Sequence, residues 1–181
     1  MITKPATNEY PPRLEMYIGL TKEDGLIQLM RQDRNQTYNF FKGISPDMAN
    51  YRYAEGKWTI KQVLMHINYV ERIMQYRALA ASRGDNQTPF GFTNHEAYIK
   101  NAEVERHDID ELLEEFNVIR NYSIEFFSGL TEKQLQLCLG SEEDAVSARA
   151  VGYALIGHAR HHMNIINERY LNTVAEYKAT N

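Results

Sequence analysis

The segment GHARHHMNIINERY, Gly157–Tyr170, holds three of the chain's six histidines, at positions 158, 161 and 162. Neutral imidazole is a good ligand for divalent transition metals, and two imidazoles one helical turn apart can share a single ion. Each helical residue advances about 100° around the axis. Val151, Ala154, Leu155, Ile165 and Ile166 then define an inward arc, with His158 and His162 near its middle and His161 toward its edge. Arg160 and Asn167 point outward on the same wheel. A lone histidine on an apolar face is usually a core residue with a satisfied hydrogen bond. Two on one stripe both need partners, because burying an unpaired polar group costs free energy, and one metal satisfies both together. On this helix alone the core reading and the metal reading both stand.

A third ligand has to come from another helix. His66, in WTIKQVLMHINYVERIMQYR, sits at one edge of an arc formed by Ile60, Val63, Ile67, Val70 and Met74. It reads either as a ligand at a bundle cavity or as a boundary histidine bonded to solvent or a backbone carbonyl. His95 and His107 read as surface or capping residues, with a ligand role as the lesser alternative for each. Glu71 lies on the inward side of the same helix, where it is a candidate general base for hydrolysis or one half of an interhelical ion pair. Arg72, Arg77, Arg160 and Arg169 are candidates for holding a cosubstrate carboxylate. Arg169 shares the direction of His158 and His162, with a salt bridge as its plainer role. Tyr69, one turn past His66, is placed to hydrogen-bond a ligand. Trp58 is expected to pack into the bundle end as a hydrophobic staple does. Phe90 and Phe92 either line a pocket mouth or pack a loop, and Cys138 reads as a semi-buried thiol rather than a nucleophile.

These residues need helices to position them, and the sequence supplies four. Residues 1–20 carry three of the five prolines and read as an irregular N-terminal arm. Thr21 is expected to cap a helix over about 22–42, ended by Gly43 and Pro46. A polar, aromatic linker, ISPDMANYRYAEGK, follows. Thr59 with Gln62 forms a capping box for a helix running to about residue 82. Residues 83–102 read as a long loop, and loops of that length in compact domains often cover something functional. A third helix is expected over about 107–128 with Gly129 as its C-cap. Residues 131–146 read as a short acidic connection, and Ser147 as the cap of a fourth helix to about 175. Strand-type alternation is essentially absent, so the expected fold is an all-α four-helix bundle with long connections, 22–175, within a single domain of 181 residues. Facing helices of such a bundle can build a site in its core.

Composition narrows the function classes. The net charge is −4, and the 20 lysines and arginines are scattered rather than clustered. That argues against nucleic acid and anionic membranes as partners. The single cysteine cannot form an internal disulfide, which suits a reducing cytoplasm. MITKPATNEYPPRLEMYIGL lacks the apolar core of a signal peptide, and no apolar run approaches the ~20 residues of a membrane span.

The blocks YAEGKWTIKQVLMHINYVERIMQYRAL, FNVIRNYSIEFFSGL and VSARAVGYALIGHARHHMNIINERYL together resemble the DinB-like superfamily of metal-binding four-helix bundles, the DinB/YfiT group. The likeness spans about residues 22–171, through W-[ST]-x6-H-[IL] and H-x2-HH ending in E-R-Y-L. The resemblance implies a metal triad of one helix-two histidine and a pair four apart on helix four: His66, His158 and His162. It implies nickel or zinc, a bacterial source and a homodimer. Three protein ligands leave a position open to water or a small-molecule substrate. The resemblance includes thiol-dependent transferases, so a metal-dependent S-transfer with a low-molecular-weight thiol is the first expectation. Hydrolysis by a metal-bound water is the alternative. A non-catalytic, stress-related metal-binding bundle ranks third.

Overall fold

The computed structural model describes residues 1–85, 87, 93–140 and 144–172. Eight helices lie among them: α1 Glu15–Ile18, α2 Leu26–Lys42, α3 Pro46–Ala49, α4 Ile60–Ser82, α5 His95–Asn101, α6 Ile109–Ser128, α7 Glu132–Gln136 and α8 Ala148–Ile166. The fold is an all-α four-helix bundle built from α2, α4, α6 and α8. Each of these packs on two neighbours, in the order α2, α6, α4, α8 around the bundle. The connections α2 to α4 and α6 to α8 therefore cross its diagonals, and α4 to α6 joins neighbours. A two-residue antiparallel ribbon, β1 Cys138–Leu139 with β2 Val146–Ser147, precedes α8.

Local chemistry explains the helix ends. The Thr59 hydroxyl accepts from the Gln62 N–H at 3.2 Å, and the Gln62 side-chain Oε1 accepts from the Thr59 N–H at 2.9 Å. This is the expected capping box, and α4 ends at Ser82 as read from the sequence. Asp108 with Glu111 caps α6 in the same way, Gly129 closes it, and the Ser147 hydroxyl accepts from the Ala150 N–H to start α8.

Three expectations need correction. Thr21 does not cap α2: its hydroxyl donates to the Ile18 carbonyl at 2.6 Å. The helix starts at Leu26 because Gly25 takes φ 98°, and the N–H groups of Gly25 and Leu26 bond to the Ile2 carbonyl instead of extending a helix. The span 83–102 contains α5, capped by the Asn94 side chain on the Ala97 N–H at 3.1 Å. The acidic connection 131–146 contains α7, which opens on a Thr131–Gln134 capping box. The expected end of the fourth helix beyond 172 and the Phe90–Phe92 segment lie outside the described residues. Past Ile166 the chain enters a π-helical turn, Asn167–Leu171.

The core has two apolar clusters. Leu26, Leu29, Met30, Ile124, Phe127, Val151 and Leu155 belong to one, and Phe41, Ile60, Leu64, Ile67, Leu113, Phe116 and Ile166 to the other. Along α2, α4 and α6 the residues between these sets include the buried ionic side chains Asp33, Glu71 and Arg120. The N-terminal arm is docked rather than loose. Its α1 crosses α8 at Gly157, where an added Cβ would lie 1.9 Å from the Tyr17 carbonyl oxygen. Only glycine permits that approach.

Candidate metal centre

α4 and α8 are neighbours in the bundle, and their facing sides bring together the three histidines expected to form the triad. The Nε2 atoms of His66 and His158 are 3.0 Å apart, and those of His162 and His158 are 3.1 Å apart. One ligand nitrogen from each ring falls within 4.8 Å of the others. Nitrogens bound to one ion at about 2.1 Å are separated by about 3.0–3.4 Å, for octahedral or tetrahedral angles. Two of the three separations have this value and the third lies within 4.8 Å, so the donor set fits a single divalent transition ion.

Burial tunes the rings for that role. His66 and His158 are only 6% and 7% exposed, and His162 is half-buried. Burial, with His162 and the other histidines adding to it, pushes the His66 pKa down. Burial likewise pushes His162 down to about 3 and His158 well below its ordinary value. All three stay neutral at physiological pH, the form that binds metals.

Aromatic side chains wall the cluster. Tyr17 meets His158 and His161 edge-on, with ring centroids 5.3 and 5.4 Å apart. Trp58 lies 5.0 Å from His66, and its indole N–H faces Glu96 at 3.4 Å. His161 stands beside His162 rather than in the triad, as its place at the edge of the arc predicts. His107 is at the surface, 3.4 Å from Glu111. Cys138 is partly buried, and burial raises its thiol pKa.

The structure engages the charged candidates with partners outside the triad. Glu71 is inward-facing as expected, but both carboxylate oxygens are occupied. Arg120 donates to them at 2.8 and 2.9 Å, and the Ser123 hydroxyl donates at 2.7 Å. Arg120 also donates to Asp33, and none of these three ionic side chains is more than 1% exposed. Glu71 is thus one half of a buried ion pair, the plainer of its two readings. Arg169 is exposed and lies over Tyr53, 5.9 Å from the ring centroid. The straight-helix wheel misplaces it because the π-helical turn Asn167–Leu171 resets the angle per residue. Arg72 pairs with Glu115 at 2.8 Å. Arg160 is not outward as expected: it donates to Asp33 at 3.3 Å and to the Leu20 carbonyl at 2.9 Å. Arg77 is half-buried, with the Met74 sulfur 3.8 Å away.

Two contributors escape the sequence reading. Tyr17 comes from the arm read as irregular. Leu14, Tyr17 and Ile18 at helical spacing are the signal for its short helix. His95 comes from the span read as loop, where Asn94 ahead of HEAYIKN is an N-cap signature. Its ring lies 5.0 Å from that of His66.

The family model described as the DinB superfamily matches residues 29–166, and the chain belongs to that superfamily. Among solved structures it is similar to YfiT from Bacillus subtilis, described as a probable metal-dependent hydrolase with an unusual four-helix bundle topology. That likeness has a TM-score of 0.71 at 13% identity, covering 95% of this chain and 94% of the other. It is also similar to the DinB-like protein YjoA from Bacillus subtilis, with a TM-score of 0.49, 19% identity, and 82% and 91% of the two chains covered. No curated protein matches the sequence.

Proposed function

We propose that His66, His158 and His162 hold one divalent transition metal, nickel or zinc, and that the protein uses it to activate a low-molecular-weight thiol for S-transfer to a small electrophile. The observation that carries the reading is the convergence of three neutral imidazole nitrogens, a set of three protein ligands that leaves an ion at least one further position for a ligand. A divalent ion held there supplies Lewis acidity, which lowers the pKa of a thiol or water bound beside it. The three histidines bind and keep a neutral donor set, so the ion retains its full charge. Tyr17 and Trp58 shield the rings from water. Glu71, locked by Arg120, is not free to take a proton. That favours a nucleophile that needs no separate carboxylate base, and a thiol, with an ordinary pKa near 8.5, is the easier one to deprotonate.

Hydrolysis by an activated water is the second reading, supported by the description of YfiT. Protein purified without an affinity tag is assayed for metal, then incubated with a panel of low-molecular-weight thiols and monochlorobimane. The expected result is about one equivalent of metal and conjugation with one thiol that is lost in His158→Ala. Ester or amide cleavage without any thiol transfers the proposal to hydrolysis. Less than about a tenth of an equivalent of metal, with none taken up on titration, removes the centre altogether. The same proposal includes a homodimer in the cytoplasm, and sedimentation as a monomer at micromolar concentration removes the dimer.

A further inference from the structure

We infer that Tyr69, held by His95, is the positioning residue of the three-histidine centre: it decides which nitrogen of His66 carries the ring hydrogen. The inference deepens the metal reading above and rests on it. Tyr69 is one turn after His66 on α4, and its hydroxyl lies 2.7 Å from His66 Nδ1. On its other side the same hydroxyl lies 2.9 Å from His95 Nδ1. The two histidine rings stand at 81° to each other with Tyr69 bridging them.

This chain of three groups has two self-consistent polarities. In the first, His66 Nδ1–H donates to the Tyr69 oxygen, the Tyr69 O–H donates to His95 Nδ1, and His95 keeps its hydrogen on Nε2. His66 Nε2 then presents a bare lone pair toward His158 and His162. In the second, His95 Nδ1–H donates to Tyr69, and Tyr69 donates to His66 Nδ1. The His66 hydrogen then sits on Nε2, where it points at His158 Nε2 3.0 Å away and blocks an ion. Neutral imidazole carries one hydrogen, so the two states exclude each other. No group gains or loses charge between them. Ion binding selects the first polarity, and the phenolic oxygen is the group that makes it available, because a buried Nδ1–H without an acceptor is costly. His95 contributes by accepting the hydroxyl hydrogen, which leaves the Tyr69 lone pairs to His66.

Hydrogen-bond partners of metal-bound histidines typically change affinity by about 10–100-fold when removed. Nickel affinity is measured by competition with a chromophoric chelator, using untagged full-length protein. Tyr69→Phe is expected to bind about 10–100-fold more weakly than wild type, and His95→Gln more weakly by a smaller factor in the same direction. Nitrogen-15 NMR of the imidazoles in metal-free protein provides the independent reading. The His66 tautomer population is expected to change in Tyr69→Phe, while the helical circular dichroism stays as in wild type. Wild type that binds nickel beside a Tyr69→Phe that binds it equally well, within twofold, overturns the inference and leaves the centre standing. Wild type that binds neither nickel nor zinc removes the centre. The NMR comparison then decides the inference alone, and an unchanged His66 tautomer overturns it.

Discussion

His158 is the hinge of the site's chemistry: its Nε2 lies between those of His66 and His162, at 3.0 and 3.1 Å, and its residue is 7% exposed. Three imidazoles packed this tightly cannot share three positive charges. Burial, reinforced by each ring's neighbours, pushes all three below the ordinary histidine value of 6.5, His162 to about 3. The sign of the consequence is fixed by proton counting. The unfolded chain protonates these rings near pH 6.5 and the folded one does not, so the unfolded state binds more protons below that pH. The metal-free protein is therefore expected to lose stability as pH falls from 6.5 toward 3, and to hold it above 6.5. Each fully buried histidine contributes a slope of up to about 1.4 kcal/mol per pH unit. Half-buried His162 contributes less, because solvent screens it. Thermal unfolding of chelator-treated protein from pH 7.5 to 5 measures this, with His158→Gln as the flatter comparison. A wild-type midpoint that stays level across that range contradicts neutral burial of the rings.

At the scale of elements, α1 approaches α8 closely, and the approach depends on Gly157. A methyl group there would meet the Tyr17 carbonyl oxygen at 1.9 Å, its carbon at 2.4 Å and its Cα at 2.9 Å. All three are backbone atoms, so no side-chain rotation relieves the clash, and α1 has to lift from α8. Tyr17 then leaves His158 and His161. Gly157→Ala is expected to destabilise the protein by about 1–3 kcal/mol or more, and urea denaturation measures it; a variant as stable as wild type rules the close crossing out. The four long helices were legible in the sequence because each repeats apolar residues at helical spacing over several turns, and because Thr59, Ser147 and Gly129 mark ends with caps that act locally. The convergence of His66 with His158 and His162 was legible only in part. The wheel put His158 and His162 on one arc, but the pairing with His66 came from a family likeness, because which helix faces which is set by connections that cross the bundle diagonals. The start of α2, the helix α5 and the direction of Arg169 differ from the sequence reading for physical reasons: a left-handed Gly25 tied to Ile2, a seven-residue helix too short to show a period, and a π-helical turn that shifts every later residue. Glu71 was legible as inward, but its partners Arg120 and Asp33 were not, because an ionic side chain in a helical pattern reads as surface until its partners on other helices are known.

At the scale of the molecule, the question is whether the proposed ion holds the bundle together or works within a bundle that stands without it. His66 lies on α4, and His158 and His162 lie on α8, so an ion would tie together two helices that already pack against each other. Two apolar clusters and the ionic group around Arg120 connect the helices independently of the histidines. The metal-free chain is therefore expected to be folded and to unfold cooperatively. An ion that binds only the folded chain adds stability as the logarithm of its free concentration, about 2.7 kcal/mol at a hundredfold excess over Kd. For a chain of this size each kcal/mol raises Tm by about 2–4 °C, which sets the expected rise at about 5–10 °C. Scanning calorimetry of chelator-treated protein, repeated across a nickel titration, measures both quantities. Loss of helical circular dichroism on chelation alone assigns the ion a structural role, since obligate structural sites leave the apo chain unfolded. A melting temperature indifferent to nickel and to zinc at every concentration argues against an ion at the three histidines. A rise that grows with the logarithm of nickel concentration, on a chain already folded without it, is the behaviour of an ion that the fold positions for chemistry.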